Sequence, residues 1–420
     1  MPHALTSSSS STPSDAQAAF DRLCEAHPML IGIERAGDVI PGMRRDLVLH
    51  AGPPISWDRM TSAMRASICG GLVFEGLCTT VEEAEQLAAS GEIGFAPAHD
   101  HQAAGAMAGT ITASMPVFVV EERNSGLRSF VSVNEGLGKA LRFGANGPEV
   151  LDRLRWIRDS LHPLLKHALA ISGPMDLKQM IAEALRRGDE VHNRNKAATS
   201  QFFRDIALAL VATRAEHGEL EKALRFISGN DHFFLSLSIA HAKAVSLYVE
   251  ELGSGDIVTV MAGNGVEVGI RVASLGKTWF TAPASVANVK FFEGHGEADA
   301  TPTMGDSYIT ESIGLGAFAL AAAPAISSFI GGTVEELIAR SERMREITVG
   351  EHRHFRIPAL GFRGVPSGID VRKVVATGIS PLINTGIASR VPGVGQIGAG
   401  VQQIPLGCFA AALAALERQS

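Results

Sequence analysis

The chain has 420 residues, enough for two or three domains each with its own core, and 46% of it is hydrophobic. With 44 Gly but only 2 Tyr and 3 Trp, the composition is that of a globular chain rich in small residues, not of a disordered one. A formal charge of -7, with most arginines standing singly or in pairs, argues against a nucleic-acid surface, and Cys24, Cys69, Cys78 and Cys408 form no close-spaced framework, which fits a reducing, cytoplasmic setting.

The opening "MPHALTSSSSSTPSD" has neither a basic nor an apolar export segment and reads as a disordered Ser-rich tail over residues 1–14. Residues 15–147 mix the helix-like "TVEEAEQLAASGEI" with the strand-like "MPVFVVEE" and the Gly-broken "NEGLGKALRFGANG", which predicts an α/β domain. Residues 148–252 are helical in period, with stops at Gly173, Gly188 and Gly229. From 253 to 420 strand patterns return in "DIVTVMAGNGVEVGIRVAS" and "KTWFTAPA", alternating with apolar helices and Gly-rich loops. The expected fold is therefore mixed α/β (α+β, multidomain), two α/β domains with a helical domain between them. The uncharged run from Ser312 to Val334 is long enough to span a bilayer, but it is mostly Gly and Ala, holds Pro324 and has acidic flanks, so it predicts a buried helix instead.

Four stretches could carry chemistry. In "GDEVHNRNKAATS", Asp189 can cap a helix whose first turns would place His192, Asn195 and Thr199 on one face, with Asn193 and Arg194 beside them: proton transfer, amide recognition and anion binding in one place. The alternative is a plain polar helix start. In "TMGDSYITESIGLG", Asp306, Ser307, Thr310 and Glu311 cluster their oxygens over one turn, where a carboxylate could serve as a general base, although N-capping explains at least one of the four. Asn264-Gly265 between two strand-like runs is first of all a hairpin turn, with Asn264 a weaker binding candidate. The C-terminal "VPGVGQIGAG" spells Gly393-x-Gly395-x-x-Gly398, yet Pro392 precedes it and no second strand and acidic residue follow, so a dinucleotide site is rejected. What remains is a flexible backbone at Gly395, Gly398 and Gly400 that could hold phosphate, with Asn384, Thr385 and Gln396 as side-chain donors. The pairs His99/His101 and His352/His354 could be metal arms but lack a matching ligand spacing, so no metal and no cofactor is expected; His232 and His241 read as a helix start and a packed helical face.

The phrases "GDEVHNRN", "WFTAPA", "GDSYITESIGLGAFALAAAPA", "GIDVRKVV" and "NTGIASRVPGVGQIGAG" together resemble, from about Gly91 to Gly407, a bacterial family long catalogued as a domain of unknown function and tied to allantoin breakdown as a subunit of oxamate carbamoyltransferase. The resemblance implies an α/β and helical multidomain chain and a reaction interconverting oxamate plus carbamoyl phosphate with oxalurate plus phosphate, or one on a related ureide. It also implies unlike partner subunits, and further copies of the chain are expected; no nucleic acid and no membrane are expected partners. It supplies no residue roles. Met304 and Ser312 depart from the family's pattern, which has a branched aliphatic residue and Thr there. Such chemistry suits His192 as a proton shuttle with Asp306 or Glu311 as base, Arg194 and the Gly395 to Gly400 loop for anions, and Asn193 and Asn195 for amides. A non-catalytic scaffold subunit and a metal-dependent amidohydrolase acting at the His pairs are the competing readings.

Overall fold

The computed structural model describes residues 14–286 and 289–419; most of the Ser-rich tail lies outside them. The mixed α/β character is as expected. A five-stranded sheet runs in the order Ala103–Ala104, Arg128–Ser132, Pro116–Glu122, Pro28–Arg35, Met175–Asp176. Its central strand, "PVFVVEE", is buried almost throughout, because helices cover the sheet. The chief of these is Leu235–Glu250, which is buried along almost its whole length and is mostly apolar or small apart from His241, Lys243 and Glu250, and a helix buried all round belongs to the interior.

Three further sheets come from the C-terminal part. The expected hairpin forms between Val258–Asn264 and Glu267–Val272, with Gly265 supplying the positive φ of 83° at its turn, and Phe280–Pro283 and Met304–Gly305 extend it to four strands. Leu382–Ala388 pairs with Gln396–Gln403, which Val289–Phe291 flanks, and Thr348–Ile357 pairs with Arg363–Ile369. Leu47–His50 and Gly94–Pro97 are parallel, joined through the helices Ser62–Phe74 and Val81–Ala89. The second of these helices starts at a capping box in which Thr80 and Glu83 satisfy each other's backbone amides.

The segment expected to be purely helical also contributes a strand, since Met175–Asp176 forms an edge of the N-terminal sheet. The Ser312–Val334 run is not one helix. It breaks at Gly314, Pro324 and Gly331 into short turns, Gly316–Ala322, Pro324–Ile326 and Ser327–Ile330, and only its first half is continuously buried. Among the described residues no helix is long and apolar enough to cross a membrane.

Candidate active site

The helix Leu177–Arg186 is followed by Gly188 at φ 94°, and the chain then makes a tight loop, 189–195, before the next helix begins at Lys196. The sequence pattern placed His192 within that helix; it belongs to the loop instead. The reason is a buried carboxylate pair that competes for the backbone amides. Glu190 accepts from the N–H groups of His192 (3.1 Å) and Arg194 (2.6 Å), while Asp189 reaches forward to cap Ala198 N–H at 2.9 Å. Val191 is forced to φ 64°, an outlier for a β-branched side chain, and is held there by Arg194 O and by the Ser238 hydroxyl on its own carbonyl.

This loop faces the short helix Ile309–Ser312. His192 Nδ1 lies 2.9 and 3.0 Å from the two oxygens of Glu311, and the Thr310 hydroxyl is 3.1 Å from the same nitrogen and 2.8 Å from Glu311 Oε2. Glu311 Oε1 also accepts the N–H groups of Asn384 (2.9 Å) and Ala317 (3.2 Å), so one carboxylate ties together three distant segments. Gly316, at φ 58°, permits this: a methyl group there would overlap Glu311 Oε1. Asn195 steadies the His192 carbonyl at 2.6 Å, and Asn193 donates to Asn384 Oδ1 at 2.7 Å.

Burial alone would strip the proton from His192, but the Glu311 charge, the Glu311 hydrogen bond and Glu190 outweigh it and raise the imidazole above its ordinary pKa. Burial pushes Glu190 up to about 8 and Asp189 up to about 6. With Nδ1 facing Glu311, Nε2 is the ring nitrogen left for a narrow cleft of about 20 Å³ lined by His192, Asn193, Arg142, His232, Ser307 and Gln396. Leu137, Asn193 and His232 also line an outer chamber of about 240 Å³, where Arg194 and Lys196 stand. A carboxylate-oriented imidazole opening on a cleft of amides and one guanidinium can move a proton to or from a bound amide nitrogen.

Of the residues proposed from sequence, His192, Asn193, Thr310, Glu311, Asn384 and Gln396 come together here, and Asn195 supports them. Thr385 lies behind, its hydroxyl 3.4 Å from Tyr308. Arg194 is held at the mouth by Gly188 O and Asp189. Four assignments need correction. Asp306 is no base beside Glu311: its oxygens accept from Gly52 N–H (2.8 Å) and Gly105 N–H (3.1 Å), with His99 at 3.4 Å. Asn264 is occupied by its own turn and by Pro53 O. Gly398 and Gly400 form no phosphate nest, because they belong to the middle strand of a three-stranded ladder and pack against Phe291 and Val289. Gly395 presses on the Gly138 carbonyl and sets the position of Gln396.

The His pairs do not gather: His101 bonds Pro41 O, His352 Nδ1 accepts the N–H groups of His354 and Phe355 in its own strand, and no group of three potential metal ligands occurs among the described residues. Sequence reasoning passed over Arg142 and Glu190 and read His232 only as a helix start. The available signal for Arg142 was one cation inside the apolar "ALRF".

The family model described as oxamate carbamoyltransferase subunit AllG matches residues 93–307. The chain is 41% identical over 402 residues to the Escherichia coli (strain K12) protein named oxamate carbamoyltransferase subunit AllG, covering 95% of this chain and 96% of that one. It is 44% identical over 397 residues to the uncharacterized protein YahG of the same organism, covering 94% and 84%. A crystal structure of a conserved protein of unknown function from Enterococcus faecalis V583 superposes with a TM-score of 0.93 at 41% identity, covering 97% of this chain and 99% of that one. The chain belongs to the oxamate carbamoyltransferase subunit AllG family.

Proposed function

We propose that this chain is a catalytic subunit of a carbamoyltransferase that interconverts oxalurate plus phosphate with oxamate plus carbamoyl phosphate, working with unlike partner subunits. The observation that carries this reading is the His192–Glu311 pair at the wall of a buried cleft. In phosphorolysis a phosphate oxygen attacks the carbamoyl carbon of oxalurate, and the bond from that carbon to the oxamate nitrogen breaks. His192 gives the departing nitrogen a proton and regains one from the phosphate hydroxyl, so the imidazole ends as it began. Glu311 fixes the ring and stabilises its charged form. Asn193 and Gln396 supply amide groups for the carbamoyl end, and Arg194 at the mouth favours an anionic co-substrate.

The test is carbamoyl phosphate formation from oxalurate and phosphate by the chain reconstituted with its partner subunits, with wild type compared against His192→Gln. A catalytic role requires at least a 100-fold loss, within the range for general acid–base catalysis, roughly 10²–10⁴. Undiminished turnover by the variant would leave the chain a scaffold.

A further inference from the structure

Arg142 stands in the short turn Leu141–Phe143 and is 8% exposed. Its Nη1 donates to Asn134 Oδ1 (3.1 Å) and its Nη2 to Gly136 O (2.5 Å), both neutral acceptors. Nε is buried and has no hydrogen-bond partner among the described residues. No Arg142 ion pair occurs among the described residues; the neighbouring Glu135 spends its carboxylate on the N–H groups of Leu141 (2.9 Å) and Arg142 (3.4 Å). Burial lowers the guanidinium only to about 10, so it stays charged at neutral pH. A desolvated cation whose direct hydrogen-bond partners are neutral, with only the nearby Glu135 charge to offset its burial, is costly, and proteins tolerate one where a ligand supplies further negative charge. The same side chain lines the cleft that His192 opens onto. The guanidinium lies over the Phe143 ring at 4.9 Å, and His232, which also lines the cleft, is neutral, since burial drives it down to about 3.

We propose that Arg142 is the carboxylate-binding residue of the inner cleft and makes its substrate an oxamic-type acid, in place of a neutral amide or urea. The inference rests on reading this cleft as the active site. The guanidinium and the imidazole line one narrow cleft, so a compact molecule that opens it would meet both. In oxalurate the carboxylate and the scissile carbon–nitrogen bond are only a few bonds apart, so the two residues address its two ends. A guanidinium binds a carboxylate in a planar, directional way, which also fixes the distance from the anchored end to His192.

The test is calorimetric titration of oxamate, of neutral oxamide and of inorganic phosphate into wild type, Arg142→Gln and Arg142→Lys, with the chain alone and with its partner subunits, after circular dichroism has compared the folds. Wild type should prefer oxamate to oxamide by roughly 100-fold, the scale of a buried charge-assisted contact. Arg142→Gln should lose that preference and Arg142→Lys recover part of it. The phosphate affinity should not change. Undiminished oxamate selectivity in Arg142→Gln overturns the proposal, as does a fall in phosphate affinity instead, or no oxamate binding by wild type in either state. If Arg142→Gln does not fold, Arg142→Lys decides: selectivity equal to that of wild type for a point charge that cannot reproduce the fork counts against a directional carboxylate site. Oxamate selectivity that depends on Arg142 in a complex that makes no carbamoyl phosphate would sink the proposed reaction and leave the anchor standing.

Discussion

His192 Nδ1 and the Glu311 carboxylate meet at 2.9 and 3.0 Å across 119 residues of chain, and neither side chain touches bulk solvent appreciably. Glu311→Gln keeps the shape but replaces one acceptor oxygen with a donor. The His192 ring then loses its charge partner and its fixed tautomer. We expect kcat to fall roughly 10²–10⁴-fold with KM little changed. Steady-state kinetics of the reconstituted complex checks this, and a change confined to KM would contradict it.

Gly316→Ala tests the same pair from the backbone side. The added methyl overlaps Glu311 Oε1 and comes within 2.6 Å of its Cδ and 3.1 Å of His192 Cβ, at a φ that L-residues avoid. The variant should lose about 2–4 kcal/mol of stability by denaturant titration, and most of its activity with it.

Glu190 gives a pH-dependent signature. Its folded pKa, raised to about 8 from the ordinary 4.5, means that the folded chain holds a proton that the unfolded chain releases. Its contribution is complete at pH below about 4.5 and is lost as pH rises through about 8. Glu190→Gln mimics the protonated acid. The melting temperature of the variant should therefore gain on that of wild type steadily between these pH values, and parallel curves would show that Glu190 does not hold the proton.

Lys243 is fully buried on the helix Leu235–Glu250, and among the described residues its ammonium has no hydrogen-bond partner; Glu250, Arg271, Asp306 and Asp100 are its charged neighbours. Burial brings it down to about 8, so wild type gains stability as pH rises from there toward the free lysine value. Lys243→Met should stabilise the fold by about 2 kcal/mol at neutral pH, with the advantage shrinking in alkali. Calorimetry at two pH values decides it.

Asp306→Asn should behave as a structural lesion. The carboxylate joins Gly52, Gly105 and His99, so its loss should lower the melting temperature while leaving the pH profile of kcat unmoved. A shifted profile would restore Asp306 as a proton-transfer group.

Local signals in the sequence read correctly where neighbours along the chain decide the structure. The stretch "TVEEAEQLAASGEI" read as a helix, and Asn264-Gly265 marked a hairpin. His192 and Glu311 could be named for their chemistry, but not paired, because nothing in the spacing says that two loops meet across the fold. The helical placement of His192 went astray because Glu190 and Asp189 take the amides that a helix would have used. Gly398 and Gly400 looked like a phosphate loop because Gly serves equally well where strands crowd together; here the main chain of Phe291 and Val289 fills the space a side chain would need. Arg142 was hidden for a related reason: an isolated cation in an apolar stretch reads as surface until the burial is known.

The ties of Glu311 to Asn384, and of Gln396 to the cleft, also fix when the site comes into being during synthesis. The His192 loop leaves the ribosome with the N-terminal sheet and its covering helices, which can collapse first. The cleft cannot close until the Leu382–Ala388 and Gln396–Gln403 strands have followed. A nascent chain therefore carries its imidazole unpaired until Glu311 follows it 119 residues later, and the cleft is complete only after these last strands are made.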